Sequence, residues 1–139
     1  MLVLIRGAGD LASGVSLRLH RAGFPVVMTD LPKPTAIRRT VCFSQAIRFG
    51  TTMVEDTEGV CCHTAREVKA ALDAEKIPVL PDETAKCKDW LHPDVLVDGI
   101  LAKKNLGTKM SDAPLVIALG PGFCAGRDCH AVIETMRGH

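Results

Sequence analysis

Apolar residues in this chain of 139 residues fall in short, near-continuous runs, separated by amphipathic or polar segments. The runs predict buried strands at residues 2–5, 26–29, 77–80, 95–97 and 115–119. Apolar residues from Asp10 to Ala22 have helical spacing, and Thr64 begins a capping box with Glu67 that opens another helix. Apolar strands that alternate with helices are typical of parallel sheets covered on both faces. We therefore predict an α/β, Rossmann-like fold with a mostly parallel sheet, helices on both faces and a single domain over residues 1–139.

Weaker patterns complete the predicted order of elements. Residues 51–54 and 59–62 flank a turn-like acidic segment and predict a short hairpin. We expect a helical turn from Thr35, continuing with interruptions towards Gly50, and a last strand over residues 131–135. That strand would leave an unpaired sheet edge, through which chains of this kind can associate as homo-oligomers.

The first predicted strand leads into the segment GAGDLASG at residues 7–14. In a dinucleotide-binding βαβ unit the first glycine permits a tight turn and the second lets the backbone approach a pyrophosphate. Gly or Ala at the third position keeps the helix close to the strand. Gly7, Gly9 and Ala12 occupy these positions, and Asp30 ends the second strand, where an acid binds ribose. The pattern predicts a site for a dinucleotide or another phosphate-bearing ligand where the helix begins.

Charged residues near this turn leave the identity of the ligand open. Asp10 puts a carboxylate at the helix N-terminus, where it complements the helix dipole but also stands where a phosphate would bind. Arg38 and Arg39 follow the predicted ribose-binding acid and suit a 2′-phosphate or another acidic group. A solvated basic face explains these two arginines at least as well.

Three predicted strand ends carry residues suited to binding, and ligands of open α/β sheets bind at the carboxyl ends of the strands. These ends are the first glycine turn, the segment from Asp98 to Thr108 and a second glycine loop at residues 120–126. We expect Asp98, Lys103 and Asn105 to converge with both glycine loops around one cleft for an anionic ligand. The alternative is a polar surface loop. The candidate ligand-binding residues are Gly7, Gly9, Asp10, Gly14, Asp30, Arg38, Arg39, Lys103, Asn105, Gly120 and Gly122.

Composition argues against several classes of function. A net charge of +1 gives no electrostatic footprint for nucleic acid or an anionic membrane, and no apolar run approaches the ~20 residues that span a bilayer. The N-terminus lacks the pattern of a signal peptide, so we expect a cytoplasmic protein. The six cysteines include no CxxC pair, and Cys124, Cys129 and His130 lack a fourth zinc ligand. We therefore predict no metal site, and no catalytic motif is recognisable.

Longer motifs resemble a known family. They are RGAGDLASGV (residues 6–15), TAIRRTV (35–41), DGILAKKN (98–105), LGPGF (119–123) and ETMRGH (134–139). In this order they resemble the accessory (maturation) proteins of selenium-dependent molybdenum hydroxylases. These proteins are relatives of the xanthine dehydrogenase accessory factors that have a Rossmann-like domain. The resemblance covers essentially the whole chain, and family members typically continue well past the last motif.

The resemblance implies a cytoplasmic role in maturing a molybdenum-cofactor hydroxylase, with that molybdenum hydroxylase as the partner. It also implies that nine motif residues line the functional cleft, namely Gly7, Gly9, Asp10, Arg38, Arg39, Lys103, Asn105, Gly120 and Gly122. The phosphate-bearing ligand would then be a nucleotide such as NAD(P) or the molybdenum-pterin phosphate itself, and Cys124 is a candidate for sulfur or selenium transfer. Two other functions stay open: a small NAD(P)-dependent oxidoreductase, and a nucleotide-sensing or protein-interaction module without catalysis.

Overall fold

The computed structural model of the chain describes residues 1–31, 42–101, 105–120 and 122–133. Its elements are β1 (Val3–Arg6), α1 (Asp10–Arg21), β2 (Val26–Asp30), α2 (Gln45–Phe49), β3 (Thr51–Val54), β4 (Thr57–Cys61), α3 (Ala65–Asp73), β5 (Ile77–Pro81), α4 (Lys88–Leu91), β6 (Val95–Asp98), β7 (Leu115–Leu119) and β8 (Ala131–Ile133). Helices with the length and apolar character that a bilayer crossing requires are absent from these ranges.

All eight strands belong to one sheet, in the order β3-β4-β5-β2-β1-β6-β7-β8. Among the described strands only the β3–β4 hairpin pairs antiparallel, and the other neighbours run parallel. On one side of β1 the chain adds β2, passes to the edge strand β3 and then fills the gap with β4 and β5; on the other side it adds β6, β7 and β8 in sequence. The order of strands therefore reverses at β1, which confirms the predicted Rossmann-like α/β fold.

Two buried clusters, one on each face of the sheet, hold the layers together. Side chains alternate along β1, so that Val3 and Ile5 belong to the cluster under α1 and α2. Leu4 belongs to the opposite cluster, to which α3 contributes Val68. The two-sided burial explains why the central strands are apolar throughout.

Helical coverage is unequal between the two halves of the sheet. The connection from β5 to β6 contains only the four-residue helix α4, which ends at His92 in a left-handed conformation. Within the described residues, the connections after β6 and β7 hold a short 3-10 turn at Met110–Asp112 and no α-helix. Helices therefore lie on both faces, as predicted, but they are concentrated around β1, β2, β4 and β5.

Element bounds agree with the sequence patterns in most places. α1 ends at Arg21, one residue before the predicted end, and the predicted hairpin is present as β3 and β4. The capping box of α3 is formed, because Thr64 Oγ1 accepts a hydrogen bond of 3.2 Å from the Glu67 N–H. The helical turn expected from Thr35 falls on residues 32–41, outside the described residues, and the described helix α2 begins at Gln45.

Candidate functional site

A cavity of about 590 Å³ opens at the carboxyl edge of the sheet, where β1, β2 and β6 end. The first glycine turn, the end of β2 and the loop after β6 form most of its wall. Glu83 and Thr84, which follow β5, and Leu106 complete the wall. The cavity lies at the reversal of strand order and has the size of an ordinary small-molecule site.

The two glycines of the first turn differ in their surroundings. Gly7 has a φ of +98°, and a Cβ on it would lie 3.0 Å from the carbonyl carbon and oxygen of Gly99. Both the backbone conformation and the space therefore require glycine at this position. A Cβ on Gly9 would meet nothing within 4 Å, although Gly9 lies in the cavity wall. The Cβ of a side chain on Gly9 would thus meet open space beside the cavity wall.

The N-terminus of α1 faces the same cavity. Gly9 is the N-cap residue, and the Ser13 N–H donates to the Gly9 carbonyl oxygen at 2.8 Å. The N–H groups of a first helical turn have no partner within the helix, and the helix dipole favours an anion there. Asp10 Oδ1 accepts a hydrogen bond of 2.7 Å from Cys42 Sγ. Burial and this bond raise the pKa of Cys42 to about 12, so the thiol stays protonated at neutral pH.

Asp30 ends β2 beside the glycine turn, in the position predicted for a ribose-binding acid. Its Oδ2 accepts from the Ala8 N–H at 3.2 Å, and its Oδ1 accepts from the Leu31 N–H at 2.8 Å. Burial raises the pKa of Asp30 above its usual range, and the two backbone hydrogen bonds oppose that shift. A carboxylate oxygen can accept two hydrogen bonds, and each oxygen of Asp30 accepts one from the backbone. Asp30 therefore retains the capacity to accept hydrogen bonds from the hydroxyl groups of a sugar.

A buried polar network joins β1 and β6 at the base of the cavity. Arg6 and Asp98 are register partners at the two strand ends and are only 3% and 1% exposed. Arg6 Nη1 donates to Thr108 Oγ1 at 2.8 Å, and the Thr108 hydroxyl donates to Asp98 Oδ2 at 2.5 Å. Arg6 Nη2 donates to the carbonyl oxygens of Glu83 and Leu106, each at 3.1 Å. The network fastens the loops after β5 and β6 to the strand that carries the glycine turn.

Arg6 and Thr108 are absent from the candidate ligand-binding residues, although Thr108 ends the predicted segment that begins at Asp98. The available signal is an arginine at the end of an apolar strand, directly before the glycine turn. Asn105, which the sequence does predict, acts through Thr108. Its Oδ1 accepts from the Thr108 N–H and its Nδ2 donates to the Thr108 carbonyl oxygen, both at 2.8 Å. Asn105 thus holds the turn that positions Thr108.

The described residues of the second glycine loop are absent from the cavity wall. Neither Gly120 nor Gly122 lines the cavity, and a Cβ on Gly120 would lie 2.8 Å from Leu101 Cδ2. Leu101 does line the cavity, so Gly120 lies next to a residue of the cavity wall. Cys124 is exposed and lies outside the wall as well.

The remaining candidate residues fall in two groups. Gly14 is exposed on α1 and lies outside the cavity wall. Arg38, Arg39 and Lys103 lie outside the described residues. In the described part of the chain, no three His, Cys, Asp or Glu side chains are grouped so that they could hold a metal ion.

Fold and cavity together define a Rossmann-like α/β domain with a ligand cleft at the carboxyl edge of its sheet. The chain is similar to the uncharacterized protein YqeB of Escherichia coli (strain K12), at 53% identity over 138 residues. The match covers 99% of this chain and 26% of YqeB, so the chain spans about a quarter of the length of that curated relative. No family model matches the chain, and no solved structure matches it. The resemblance to hydroxylase maturation proteins therefore stays a prediction.

Proposed function

We propose that this domain binds a phosphate-bearing ligand of nucleotide size, with the phosphates over the first glycine turn. The open space over Gly9, in a cavity that also receives the N-terminus of α1, is the observation that carries the proposal. Backbone N–H groups and the helix dipole favour an anion at this point. Asp30 lies within the same wall, where it can accept hydrogen bonds from ribose hydroxyl groups.

The charge of the wall bears on how such a ligand is held. Among the described lining residues, Asp10, Asp30, Glu83 and Arg6 give a formal charge of −2. A multiply charged phosphate therefore needs a counter-charge in addition to the helix N-terminus. Mg²⁺ commonly supplies it, bound by one or two carboxylates together with the phosphates of the ligand. Titrations with and without Mg²⁺ address this requirement directly.

The biological setting that we propose is the maturation of a selenium-dependent molybdenum-cofactor hydroxylase. Its support is the resemblance of the five motifs in residues 6–139, since similarity to YqeB carries no stated activity. In that setting the ligand is a nucleotide or the pterin phosphate of the molybdenum cofactor. Both ligands present phosphate groups to the glycine turn, so one binding geometry serves either of them.

Calorimetric titration of the purified chain with NAD, NADP, AMP, CTP and a pterin phosphate tests the ligand. We expect wild type to bind at least one of them and Gly9→Val to lose that binding, since the valine side chain fills the space over the turn. Gly14→Val is the matched control, because a Cβ on Gly14 also meets nothing within 4 Å yet lies outside the cavity wall. Binding that survives in Gly9→Val, or that fails equally in Gly14→Val, would contradict the proposed site.

Maturation is tested by producing a molybdenum hydroxylase together with wild type, Gly9→Val or Gly14→Val. The expected result is a loss of hydroxylase activity and of bound molybdenum cofactor with Gly9→Val alone. Full activity of the hydroxylase in the absence of this chain would contradict the maturation role. Oxidation of NADH or NADPH by the chain with a carbonyl substrate would favour an oxidoreductase instead. Nucleotide binding without either effect would indicate a sensing module.

A further inference from the structure

Arg6 is a buried cation in the cavity wall, with only 3% of its surface exposed. Removing a guanidinium from water is unfavourable unless an anion compensates for the lost hydration. The ion pairs among the described residues involve Arg21, His63, Lys76 and Lys88. No carboxylate oxygen in the described ranges lies within 4.0 Å of a nitrogen of the Arg6 side chain. The direct partners of this guanidinium are therefore a hydroxyl group and two carbonyl groups.

The hydrogen bonding of Arg6 is also incomplete. A guanidinium has five N–H donors, and three of them are used by Thr108 Oγ1 and the carbonyl oxygens of Glu83 and Leu106. Nε is buried and has no hydrogen-bond partner in the described part of the chain. Buried donors without a partner are rare in native proteins, so this nitrogen points to an acceptor that comes from a ligand.

Asp98 compensates the charge of Arg6 only indirectly. The Thr108 hydroxyl stands between them, accepting from Arg6 Nη1 and donating to Asp98 Oδ2. Asp98 Oδ1 is occupied by the Ile100 N–H at 3.1 Å. The carboxylate thus holds the guanidinium in place through one hydroxyl group and leaves most of the fork without an anion.

We propose that the end of the cavity at Arg6 binds an oxyanion, the carboxylate or phosphate group of a small ligand. An oxyanion supplies the missing charge, and its paired oxygens match the planar fork of the guanidinium. Ile100 and Leu106 line this end of the cavity and lower the local dielectric, which strengthens a charged hydrogen bond. The oxyanion accepts from the guanidinium at this end of the cavity, where Nε is the buried donor without a partner in the described residues.

This oxyanion position is distinct from the phosphate position over Gly9. Side chains alternate along a strand, so Arg6 shares with Leu4 the face of the sheet opposite α1. The inference rests on the proposed function only in using the same cavity. A ligand with two separated anionic groups would occupy both positions, and so would a nucleotide together with a small organic acid.

Calorimetric titration with oxalate and with inorganic phosphate tests the site and separates the two sources of oxyanion. Relative to wild type, Arg6→Gln is expected to lower the affinity of the better probe roughly tenfold or more, since a charged hydrogen bond is lost. Asp98→Asn is expected to raise that affinity roughly threefold or more, because the charge of Arg6 is then shared with no carboxylate. Arg18→Gln is the matched control, since Arg18 is exposed on α1, and it should change nothing.

Opposite signs for the two variants distinguish a binding role from a structural one, because a merely structural network would make both variants weaker. The proposal is overturned if neither probe binds wild type, if folded Arg6→Gln binds like wild type, or if Asp98→Asn fails to tighten binding. Should Arg6→Gln not fold, the direction of the change in Asp98→Asn decides alone. Gly9→Val leaves the Arg6 end of the cavity unchanged. This variant should therefore still bind the small probe even though it no longer binds a nucleotide, and the two proposals can fail independently.

Discussion

The chain contains two glycine loops at the carboxyl edge of one sheet, and they differ in the element that follows them and in their position relative to the cavity. The first, after β1, runs into the twelve-residue helix α1 and forms the cavity wall. The second, at residues 120–126, leads to β8, and its described residues include no helix and are absent from the cavity wall. Positive φ values at Gly120, Gly122 and Gly126 give this loop a turn geometry comparable to that of Gly7. Glycines shape a turn, but a helix that begins there is what makes it attractive to an anion.

Hydrogen bonding separates the loops further. In the first loop the Ala8 N–H donates to Asp30, a residue of the neighbouring strand that lines the cavity. In the second loop the Cys124 N–H donates to Asp128 Oδ2 at 3.1 Å, two residues after the loop, and the Gly120 N–H donates to the Ile133 carbonyl oxygen of β8 at 3.1 Å. The first loop is therefore linked to an acid of the cavity wall, whereas the second is linked to the segment and the strand that follow it.

The largest effect on stability is expected from Gly7→Ala in the first loop. Positive φ and a contact of 3.0 Å with the Gly99 backbone combine there, so we expect a loss of about 3 kcal/mol in the free energy of unfolding. Urea denaturation measures it. Gly23→Ala is the control, because Gly23 also has positive φ, at +96°, but open space around its Cβ position. Equal losses in the two variants would show that the approach to Gly99 contributes nothing.

The second prediction concerns the acid that binds the first loop. Ionised Asp30 accepts hydrogen bonds from a ribose, so Asp30→Asn should weaken nucleotide binding roughly tenfold or more at neutral pH. Burial raises the pKa of Asp30, so wild-type affinity should fall with decreasing pH from a higher pH than for an ordinary aspartate. Calorimetry across acidic to neutral pH should show this fall in wild type and its loss in Asp30→Asn.

Two features of this experiment distinguish loss of binding at acidic pH from loss of folding. Stability changes in the opposite direction, since a raised pKa means that the folded chain binds this proton more tightly than the unfolded chain does. Acid therefore weakens binding without weakening the fold through Asp30. Asp128→Asn, which removes the acid that accepts from the second loop, should leave affinity and its pH dependence unchanged. An effect as large as that of Asp30→Asn would contradict the distinction between the loops.

Much of the first site is predictable because it is local in sequence. Gly7, Gly9 and Asp30 lie within one βαβ unit, whose geometry follows from a strand, a tight turn and a helix in succession. The pairing of Arg6 with Thr108, by contrast, joins residues 102 positions apart. It depends on β6 taking its place beside β1, and strand order is not encoded in the pattern of either strand alone.

The second loop shows a different reason for failure. The sequence does predict a strand rather than a helix after residues 120–126, and β8 confirms that element. The glycine pattern alone does not predict whether the loop binds a ligand. A turn that leads into a strand presents no helix N-terminus to a ligand. Asn105, which the sequence predicts for the cleft, is not among the residues that line the cavity, and its hydrogen bonds go to Thr108.

A smaller effect is expected from Gly120→Ala. The new Cβ meets the end of the flexible Leu101 side chain at 2.8 Å, and the φ of +88° adds backbone strain. We expect a loss of about 1.5 kcal/mol in the free energy of unfolding, because Leu101 can move aside where the Gly99 backbone cannot. Nucleotide affinity should stay close to that of wild type in the same calorimetric assay. A loss of binding comparable to that of Gly9→Val would mean that the second loop contributes to the site.

The smallest effect is expected from Gly126→Ala, at the far end of the second loop. Its φ of +85° is unfavourable for alanine, but a Cβ there meets nothing within 4 Å, so the cost is the backbone strain alone, about 1 kcal/mol. Gly126→Asn should be milder, because asparagine tolerates left-handed backbone better than alanine does. Urea denaturation of both variants measures this order, and the reverse order would argue against strain as its cause. Gly126 and Gly9 are alike in having open space around the position of a Cβ. We expect nucleotide binding to be unchanged in Gly126→Ala and lost in Gly9→Val. This result would attribute the difference between the loops to the helix that begins after Gly9.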